Sequence, residues 1–224
     1  QPCSLLDLAP ALCDAAPSTR IRLGSLEPRT VTPEFTAALQ EKRNLCPHFH
    51  LSLQSGCDKT LKAMGRRYDT ARFLYSCELL RQAFPGCAIT TDLIVGFPGE
   101  TEEDFQQTLD FLRQADFAQV HIFPYSRRKG TRAYSMPEQV PRAEREDRAR
   151  RAAAVCRETR LAYLQSRMGK IDDVLFEQPK DGGFTGHDRC YCPVYVPGRD
   201  LSGQVRAVRI TGWSADGLTG ELVP

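Results

Sequence analysis

Small and polar residues follow four short apolar runs of this sequence, and their types and spacing suit ligand binding. Gln54 and Ser55 offer donors and acceptors that fit a ribose or a carboxylate, and Gly56 lets the backbone approach a ligand closely. The amides before Thr101 could hold an anion at the start of a helix. A loop built only for its turn is the alternative reading of these positions. The four segments are Gly24-Ser25-Leu26-Glu27-Pro28, Gln54-Ser55-Gly56-Cys57-Asp58, Gly96-Phe97-Pro98-Gly99-Glu100 and Pro124-Tyr125-Ser126.

Acid–base or nucleophilic catalysis by side chains finds little support in the sequence. It contains no Gly-x-Ser-x-Gly, His-Glu-x-x-His, phosphate-loop or Gly-x-Gly-x-x-Gly motif. His48 and His50 flank Phe49 in a predicted strand, and we interpret them first as structural. We therefore predict no catalytic side chain, and infer that any demanding chemistry belongs to a cofactor.

The predicted secondary structure around these residues follows a strand-then-helix pattern. Strands are predicted over 20–23, 49–53, 89–95 and 120–123. Helical periodicity predicts helices over 33–43 and 70–84, from 101 through 112, and over 141–168. Thr32 and Thr101 suit helix N-caps, with Asp104 completing a capping box. This alternation favours an α/β fold with parallel strands and crossover helices.

The composition and pattern of the sequence change after Gly169. Runs rich in β-forming residues at 171–176, 191–196, 204–210 and 218–223 alternate with Gly, Asp and Pro turns. We predict a domain over 1–169, followed by a small all-β barrel or sandwich over 170–224.

Basic residues concentrate between the two predicted domains. Residues 127–170 carry 13 basic and 5 acidic side chains, although the formal net charge of the chain is +2. A polyanion such as RNA could dock there, and an arginine-rich helix face that is merely solvated is the equal alternative. The candidate RNA-binding residues are Arg127, Arg128, Lys129, Arg142 and Arg145.

Nine scattered cysteines, an odd number, indicate reduced thiols rather than a disulfide framework. Cys190 and Cys192, with His187 nearby, form one cluster, but zinc sites need wider cysteine spacing and usually four ligands. We interpret the pair as alternate positions on a strand and predict no metal site. With no apolar run long enough for a membrane span and no signal peptide, we expect a cytoplasmic protein without a membrane partner.

Several segments, taken in order, resemble the radical S-adenosylmethionine (SAM) methylthiotransferases. The resemblance is closest to the subfamily that methylthiolates N6-threonylcarbamoyladenosine at position 37 of tRNA. It implies the last four or so strand–helix units of an open, TIM-like radical SAM barrel, followed by an RNA-binding TRAM barrel. The matching segments are 22–28, 50–56, 61–68, 91–101, 123–126 and 130–131.

The resemblance also implies a binding site and a substrate. SAM would lie across the strand ends, with Ile94 against its adenine and Arg66 near its methionine carboxylate, where a guanidinium fork fits. The partner would be the anticodon loop of tRNA, because Gln54-Ser55 stands where the relative that modifies a ribosomal protein has Gln-His. The residues implied for the cofactor are Gln54, Ser55, Arg66, Asp92, Ile94, Gly96 and Phe97.

The sequence departs from this family in its cysteines. Family members hold one 4Fe–4S cluster on a Cys-x-x-x-Cys-x-x-Cys loop and a second on three upstream cysteines, whereas Cys3 and Cys13 have the wrong spacing for either. We therefore expect a carboxyl-terminal portion that is inactive alone. An isopentenyladenosine-specific enzyme and a non-catalytic RNA-binding chain are the alternatives, and the oligomeric state is left open.

Overall fold

The computed structural model describes residues 4–223, so Cys3 lies outside the described part of the chain. Its first part confirms the predicted α/β class, because four strands form a parallel sheet in the order β1-β2-β3-β4. The elements are α1 (Leu5–Ala15), β1 (Ile21–Leu26), α2 (Pro33–Gln40), β2 (Leu45–Gln54), α3 (Asp58–Ala63), α4 (Thr70–Ala83), β3 (Ala88–Val95), α5 (Glu102–Ala115) and β4 (Gln119–Pro124).

Side-chain caps explain where two of the predicted helices begin. Thr101 accepts a hydrogen bond from the Asp104 amide at 3.2 Å, and the Asp104 carboxylate accepts one from the Thr101 amide at 2.9 Å. This is the predicted capping box. Thr32 caps α2 by accepting from the Phe35 amide at 3.1 Å. The helix α3 is missing from the predicted elements, because its 6 residues are too few to display a helical period.

The sheet has one face covered by helices and one face left open. Successive residues of a strand point to opposite faces, so the two faces can be assigned residue by residue. The covered face carries fully buried apolar side chains: Phe49, Leu51 and Leu53 of β2, and Ile89, Leu93 and Val95 of β3. The intervening side chains His50, Gln54, Asp92 and Ile94 are only half-buried and lie on the open face.

The second part of the chain is a closed five-stranded barrel in the order β5-β6-β7-β9-β8. Its strands are β5 (Ile171–Lys180), β6 (Gly183–His187), β7 (Pro193–Pro197), β8 (Val205–Ser214) and β9 (Gly217–Leu222). The prediction contained four of them and missed β6, in which two of the five residues are glycine. Gly186 is required there by packing, because a Cβ atom would overlap the Leu175 carbonyl of β5.

One long helix, α6 (Arg142–Gln165), leads from the sheet to the barrel. Ala152 and Val155 of this helix join the core under the sheet, whereas Leu164 joins the barrel core. The barrel core also includes Ala88 and Ala118, which lie at the starts of β3 and β4. The barrel therefore packs against the amino-terminal edge of the sheet and leaves the carboxyl-terminal edge accessible. Among the described residues, no helix is both long and apolar enough to cross a membrane.

Gly56 and Gly24 offer a matched pair of alanine substitutions. A Cβ atom on Gly56 would lie 2.8 Å from Phe111 Cβ and 2.9 Å from Thr108 Cα of α5, whereas one on Gly24 would meet nothing within 4 Å. We expect Gly56→Ala to lower the free energy of unfolding by about 1–3 kcal/mol through overpacking. Gly24→Ala should stay within about 0.5 kcal/mol. Urea denaturation measures both, and equal losses would contradict the close packing of the loop after β2 against α5.

Candidate functional site

The open face of the sheet ends in a group of side chains at the carboxyl-terminal edge. Ile94 of β3 lies in register with Phe123 of β4, and Phe123 is 51% exposed. Gln54 ends β2 beside Leu93 and adopts a left-handed backbone conformation, with φ of +73°. The edge thus combines an apolar surface with an amide side chain, which suits an aromatic ring that carries polar substituents.

Ser55 and Arg66, the other predicted cofactor residues near β2, lie in different environments. Ser55 is fully buried, its hydroxyl accepts from the Cys57 amide at 3.2 Å, and it lies 3.4 Å from the Thr108 hydroxyl. Its side chain therefore faces α5, so any contact with a ligand would use its backbone. Arg66 is exposed just after α3, where it is free to reach an anion.

Four backbone amides of the loop between β3 and α5 already donate within the protein, which counts against the expectation that its amides hold an anion. A backbone amide that already donates within the protein is not available to a ligand. The Gly96 amide donates to the Glu100 carboxylate at 2.5 Å, and the Thr101 amide donates to the Asp104 carboxylate at 2.9 Å. The Gly99 amide donates to the Glu138 carbonyl and the Glu100 amide to the Phe97 carbonyl, both at 3.0 Å.

A buried ion pair holds this loop against α6. Arg148 is 1% exposed, and its guanidinium donates to the Glu100 carboxylate at 2.8 Å and to the Glu100 carbonyl at 2.9 Å. Burial raises the pKa of Glu100, while the Gly96 amide and Arg148 act in the opposite direction. The same arginine also contacts Glu144 and lies 3.9 Å from Glu102. Arg148 is therefore buried in the protein, whereas both alternatives from the sequence, a solvated arginine-rich face and a nucleic-acid contact, place the arginines at the surface.

Arg145, a predicted RNA contact, supports the same loop. Its guanidinium donates to the Tyr125 carbonyl, and its aliphatic stem occupies the space that a Cβ atom on Gly96 would need. Phe97, the next residue of the loop, is 7% exposed and packs its ring edge-on against Tyr125, with ring centres 5.4 Å apart. Arg145 and Phe97 therefore pack behind the loop and support its conformation.

The remaining predicted RNA contacts are exposed. Arg127 donates to the Tyr134 carbonyl at 2.7 Å and lies over the Tyr134 ring, 4.3 Å from its centre. Arg128 and Lys129 are exposed beside it. The Arg142 side chain is 85% exposed and pairs with Glu146 at 2.7 Å. This exposed basic surface, defined by Arg127, Arg128, Lys129 and Arg142, is separate from the buried arginines of α6.

A cavity of about 490 Å³ lies on the open face, below the strand ends, and is bounded by the barrel. All four histidines of the chain line it: His48, His50, His121 and His187. Burial, together with the nearby Arg22, lowers the pKa of His48 to about 4, so this side chain is neutral at physiological pH. The sequence offered a partial signal, since His48 and His50 alternate on one strand, but the contributions of β4 and the barrel depend on the fold.

The segment Cys190-Tyr191-Cys192 forms one wall of this cavity, and it is a loop rather than the predicted strand. Tyr191 has φ of +63°, and the Asp188 carboxylate accepts from the Cys192 amide at 2.8 Å, which shapes a turn. The Tyr191 ring stacks on the His187 ring, with ring centres 4.5 Å apart. The guanidinium of Arg22, a residue of β1, lies 4.0 Å from the centre of the Tyr191 ring. The loop thereby joins the barrel to the sheet.

The cysteines do not assemble a cluster site within residues 4–223. The one group of three potential metal ligands whose atoms lie within 4.8 Å of each other there is Asp172, Asp188 and Cys190. Arg167 already pairs with Asp172 at 2.7 Å and lies 3.5 Å from Asp188, so a cation occupies this group. A 4Fe–4S cluster needs three or four thiolates, and the described residues do not fit it.

The ion pair of Arg148 and Glu100 predicts an asymmetric response to mutation. Arg148→Met leaves a carboxylate buried without its partner, so we expect a loss of about 3–5 kcal/mol in the free energy of unfolding. The double variant Arg148→Met/Glu100→Gln should lose less, because no charge remains unpaired. Arg150→Met is the control, since the Arg150 side chain is 71% exposed. Urea denaturation decides, and a double variant as unstable as the single one would contradict the prediction.

Comparison with known proteins relates this structure to one superfamily. Residues 6–112 match the sequence profile of the radical SAM superfamily. A tRNA-2-methylthio-N(6)-dimethylallyladenosine synthase of Mycobacteroides abscessus is 45% identical over 166 residues, which are 73% of this chain and 33% of that protein. The threonylcarbamoyladenosine tRNA methylthiotransferase MtaB of Thermotoga maritima is 36% identical over 216 residues, which are 96% of this chain and 50% of that protein.

A solved structure supports the fold. Coproporphyrinogen III oxidase (HemN) from Escherichia coli, a radical SAM enzyme, superposes with a TM-score of 0.53 at 12% identity, over 86% of this chain and 46% of that chain. The chain spans a third to a half of the curated relatives cited above. Proteins of this superfamily use SAM and 4Fe–4S clusters. The chain is therefore a relative of the radical SAM tRNA methylthiotransferases, and its radical SAM match lies in residues 6–112.

Proposed function

We propose that this protein takes part in the 2-methylthiolation of N6-threonylcarbamoyladenosine at position 37 in the anticodon loop of tRNA. The observation that carries the proposal is the accessible edge of the sheet, where Gln54, Ile94 and Phe123 lie together beside the closed loop after β3. The match to the Thermotoga maritima protein over 96% of this chain supports the threonylcarbamoyl substrate.

The residues of this edge fit the adenosine end of SAM. Ile94 and Phe123 offer an apolar surface for the adenine ring, and Gln54 and Asp92 offer polar groups to the ribose. Gly96 and Phe97 would form the floor, because their loop is fixed by Arg148. Arg66 is exposed and would pair with the methionine carboxylate. SAM supplies the radical-generating and methyl-donating chemistry, while these side chains bind and orient it.

The iron–sulfur clusters form the other half of the proposed reaction. Among residues 4–223, no three cysteine sulfur atoms lie within 4.8 Å of one another, so we derive no step through a cluster here. The proposal requires that another polypeptide segment supply the cluster ligands. The 224 residues alone are expected to bind cofactor and RNA without turnover.

The exposed basic surface is the proposed tRNA contact, together with the five-stranded barrel, which we interpret as a TRAM domain. Arg127, stacked on Tyr134, presents both a cation and an aromatic ring to a nucleic acid. The helix α6 joins this surface to the cofactor loop through Arg145 and Arg148. Bound tRNA would then lie beside the accessible edge of the sheet.

A second candidate substrate is the dimethylallyl (isopentenyl) form of the same nucleoside. Its support is the higher identity to the Mycobacteroides abscessus protein, 45% against 36% for the threonylcarbamoyl enzyme. The two substrates differ only in the group on the adenine N6 atom, so both would meet the same open face.

Deletion of the gene tests the proposal in the organism that encodes it. We expect the 2-methylthio derivative of threonylcarbamoyladenosine to disappear from total tRNA, measured by mass spectrometry of nucleosides, while the unmethylthiolated form accumulates. Complementation with Gln54→Ala or Arg66→Ala should restore the derivative poorly. Arg113→Ala is the control, because its exposed side chain pairs only with Asp110 on α5.

Other outcomes of the deletion have distinct meanings. Loss of the dimethylallyl derivative, with the threonylcarbamoyl derivative intact, would replace the proposed substrate by the second candidate. If both derivatives persist while the purified protein still binds tRNA, the protein is a non-catalytic RNA-binding chain.

The exposed basic surface predicts salt-dependent tRNA binding. We expect the triple variant Arg127→Ala/Arg128→Ala/Lys129→Ala to weaken binding at least about tenfold and to reduce the salt slope by roughly 2. Filter binding or fluorescence anisotropy at several salt concentrations measures both quantities. The Arg113→Ala variant should behave like the parent protein, and a triple variant that does so as well would assign these residues to a merely solvated surface.

A further inference from the structure

Three neighbouring strands each bring one metal-ligand type of side chain to the same face of the sheet. His50 lies on β2, Asp92 on β3 and His121 on β4, and all three line the four-histidine cavity. Asp92 and His121 are in register, and His50 is paired with Thr90, one alternate position before Asp92. Two imidazoles and one carboxylate on one face are a donor set used by divalent transition metals.

The distance between two of these ligands matches a metal site. His50 Nε2 lies 3.4 Å from Asp92 Oδ2, which is longer than a good hydrogen bond. Zinc binds imidazole nitrogen and carboxylate oxygen at about 2.0–2.2 Å, so two ligands of a tetrahedral ion lie about 3.4 Å apart. A zinc-sized ion therefore fits between the two side chains without movement of the backbone.

A contact of its Nδ1 atom sets the ring orientation of His50. Its Nδ1 atom lies 3.0 Å from the Thr90 hydroxyl, which leaves Nε2 directed toward Asp92. The same hydroxyl lies 3.2 Å from Nε2 of the buried His48. Histidines that bind metals usually have their second ring nitrogen held by such an outer partner. Thr90 and His48 thus supply the support that a ligand at position 50 needs.

His121 and the cavity supply the rest of the site. His121 is exposed and in register with Asp92, and its ring centre lies 6.2 Å from that of His50. The ligand atoms of His50, Asp92 and His121 do not all lie within 4.8 Å of one another, so binding of an ion by all three requires the His121 side chain to rotate toward it. The cavity leaves room for water in the remaining positions. The two arginines of the cavity already have partners: Arg22 lies over the Tyr191 ring and 3.5 Å from His48 Nδ1, and Arg160 donates to Gln119 at 2.8 Å.

We propose that His50, Asp92 and His121 form a three-ligand site for a divalent transition-metal ion, with its open positions facing the cavity. This site is distinct from the Asp172–Asp188–Cys190 group, which Arg167 occupies. It shares Asp92 with the proposed SAM site, where the same carboxylate would face the ribose.

Titration of the purified chain with Co²⁺ and Zn²⁺ under reducing conditions tests the site. We expect one ion per chain by calorimetry and a Co²⁺ spectrum of nitrogen and oxygen ligands without a thiolate charge-transfer band. His50→Ala and His121→Ala should each weaken binding by at least tenfold, and Thr90→Val about tenfold through His50. His187→Ala is the matched control, because His187 lines the same cavity but pairs with Glu177 at 2.5 Å.

Several results would overturn the site. One is an unchanged metal affinity in His50→Ala and His121→Ala variants whose urea midpoint equals that of the parent protein. The others are loss of metal binding in Cys190→Ser and a thiolate charge-transfer band in the Co²⁺ spectrum. Paramagnetic Co²⁺ gives a second readout, since it should broaden the NMR signals of His50 and His121 before that of His187. Binding of S-adenosylhomocysteine, measured separately without metal, tests the cofactor proposal and can fail independently.

Discussion

The charge pair of Arg148 and Glu100 is the constraint on which the candidate site depends. Both side chains are essentially excluded from solvent, and the Glu100 carboxylate also accepts from the Gly96 amide at 2.5 Å. A buried charge is tolerated only when it is paired and hydrogen-bonded, so the loop, the helix α6 and the end of β3 must keep one relative geometry. The loop therefore presents a fixed surface to a ligand and does not offer free backbone amides.

This constraint divides the arginines of the basic segment into two kinds. Arg145 and Arg148 face the sheet and hold the loop, whereas Arg127 and Arg142 face solvent. The helix α6 contacts the loop after β3 on one side and carries exposed cations near its start, so it connects the two proposed binding sites. The arrangement explains why a segment with 13 basic residues has ionic partners inside the protein as well as room for a polyanion outside.

The two edges of the sheet have different neighbours. The barrel and its Cys190-Tyr191-Cys192 loop cover the amino-terminal edge through the stack of Arg22, Tyr191 and His187. The carboxyl-terminal edge carries Gln54, Ile94 and Phe123 and stays accessible. Ligands of parallel α/β sheets bind at this edge, and the relatives of this chain belong to a superfamily that uses SAM. The four-histidine cavity lies between the two edges.

The amino-acid sequence predicts the parallel α/β order, the capping box at Thr101 and most of the barrel strands, because these features depend on local periodicity and on contacts three residues apart. It also predicted that the strand ends face a ligand, which stays a prediction. Strand β6 was not predicted, because its glycines have no preference for strands. Close packing of Gly186 against β5 explains why glycine is needed there.

The folded structure is needed to see that Arg148 is buried, that four loop amides already have hydrogen-bond acceptors and that the four histidines line one cavity. Each of these facts joins segments far apart in the chain, such as β3 with α6 or β2 with the barrel loop. Residue type and spacing do not predict contacts between such distant segments. The same arginine pattern is compatible with a solvated face or an RNA-binding face until packing assigns each side chain to one side of the helix.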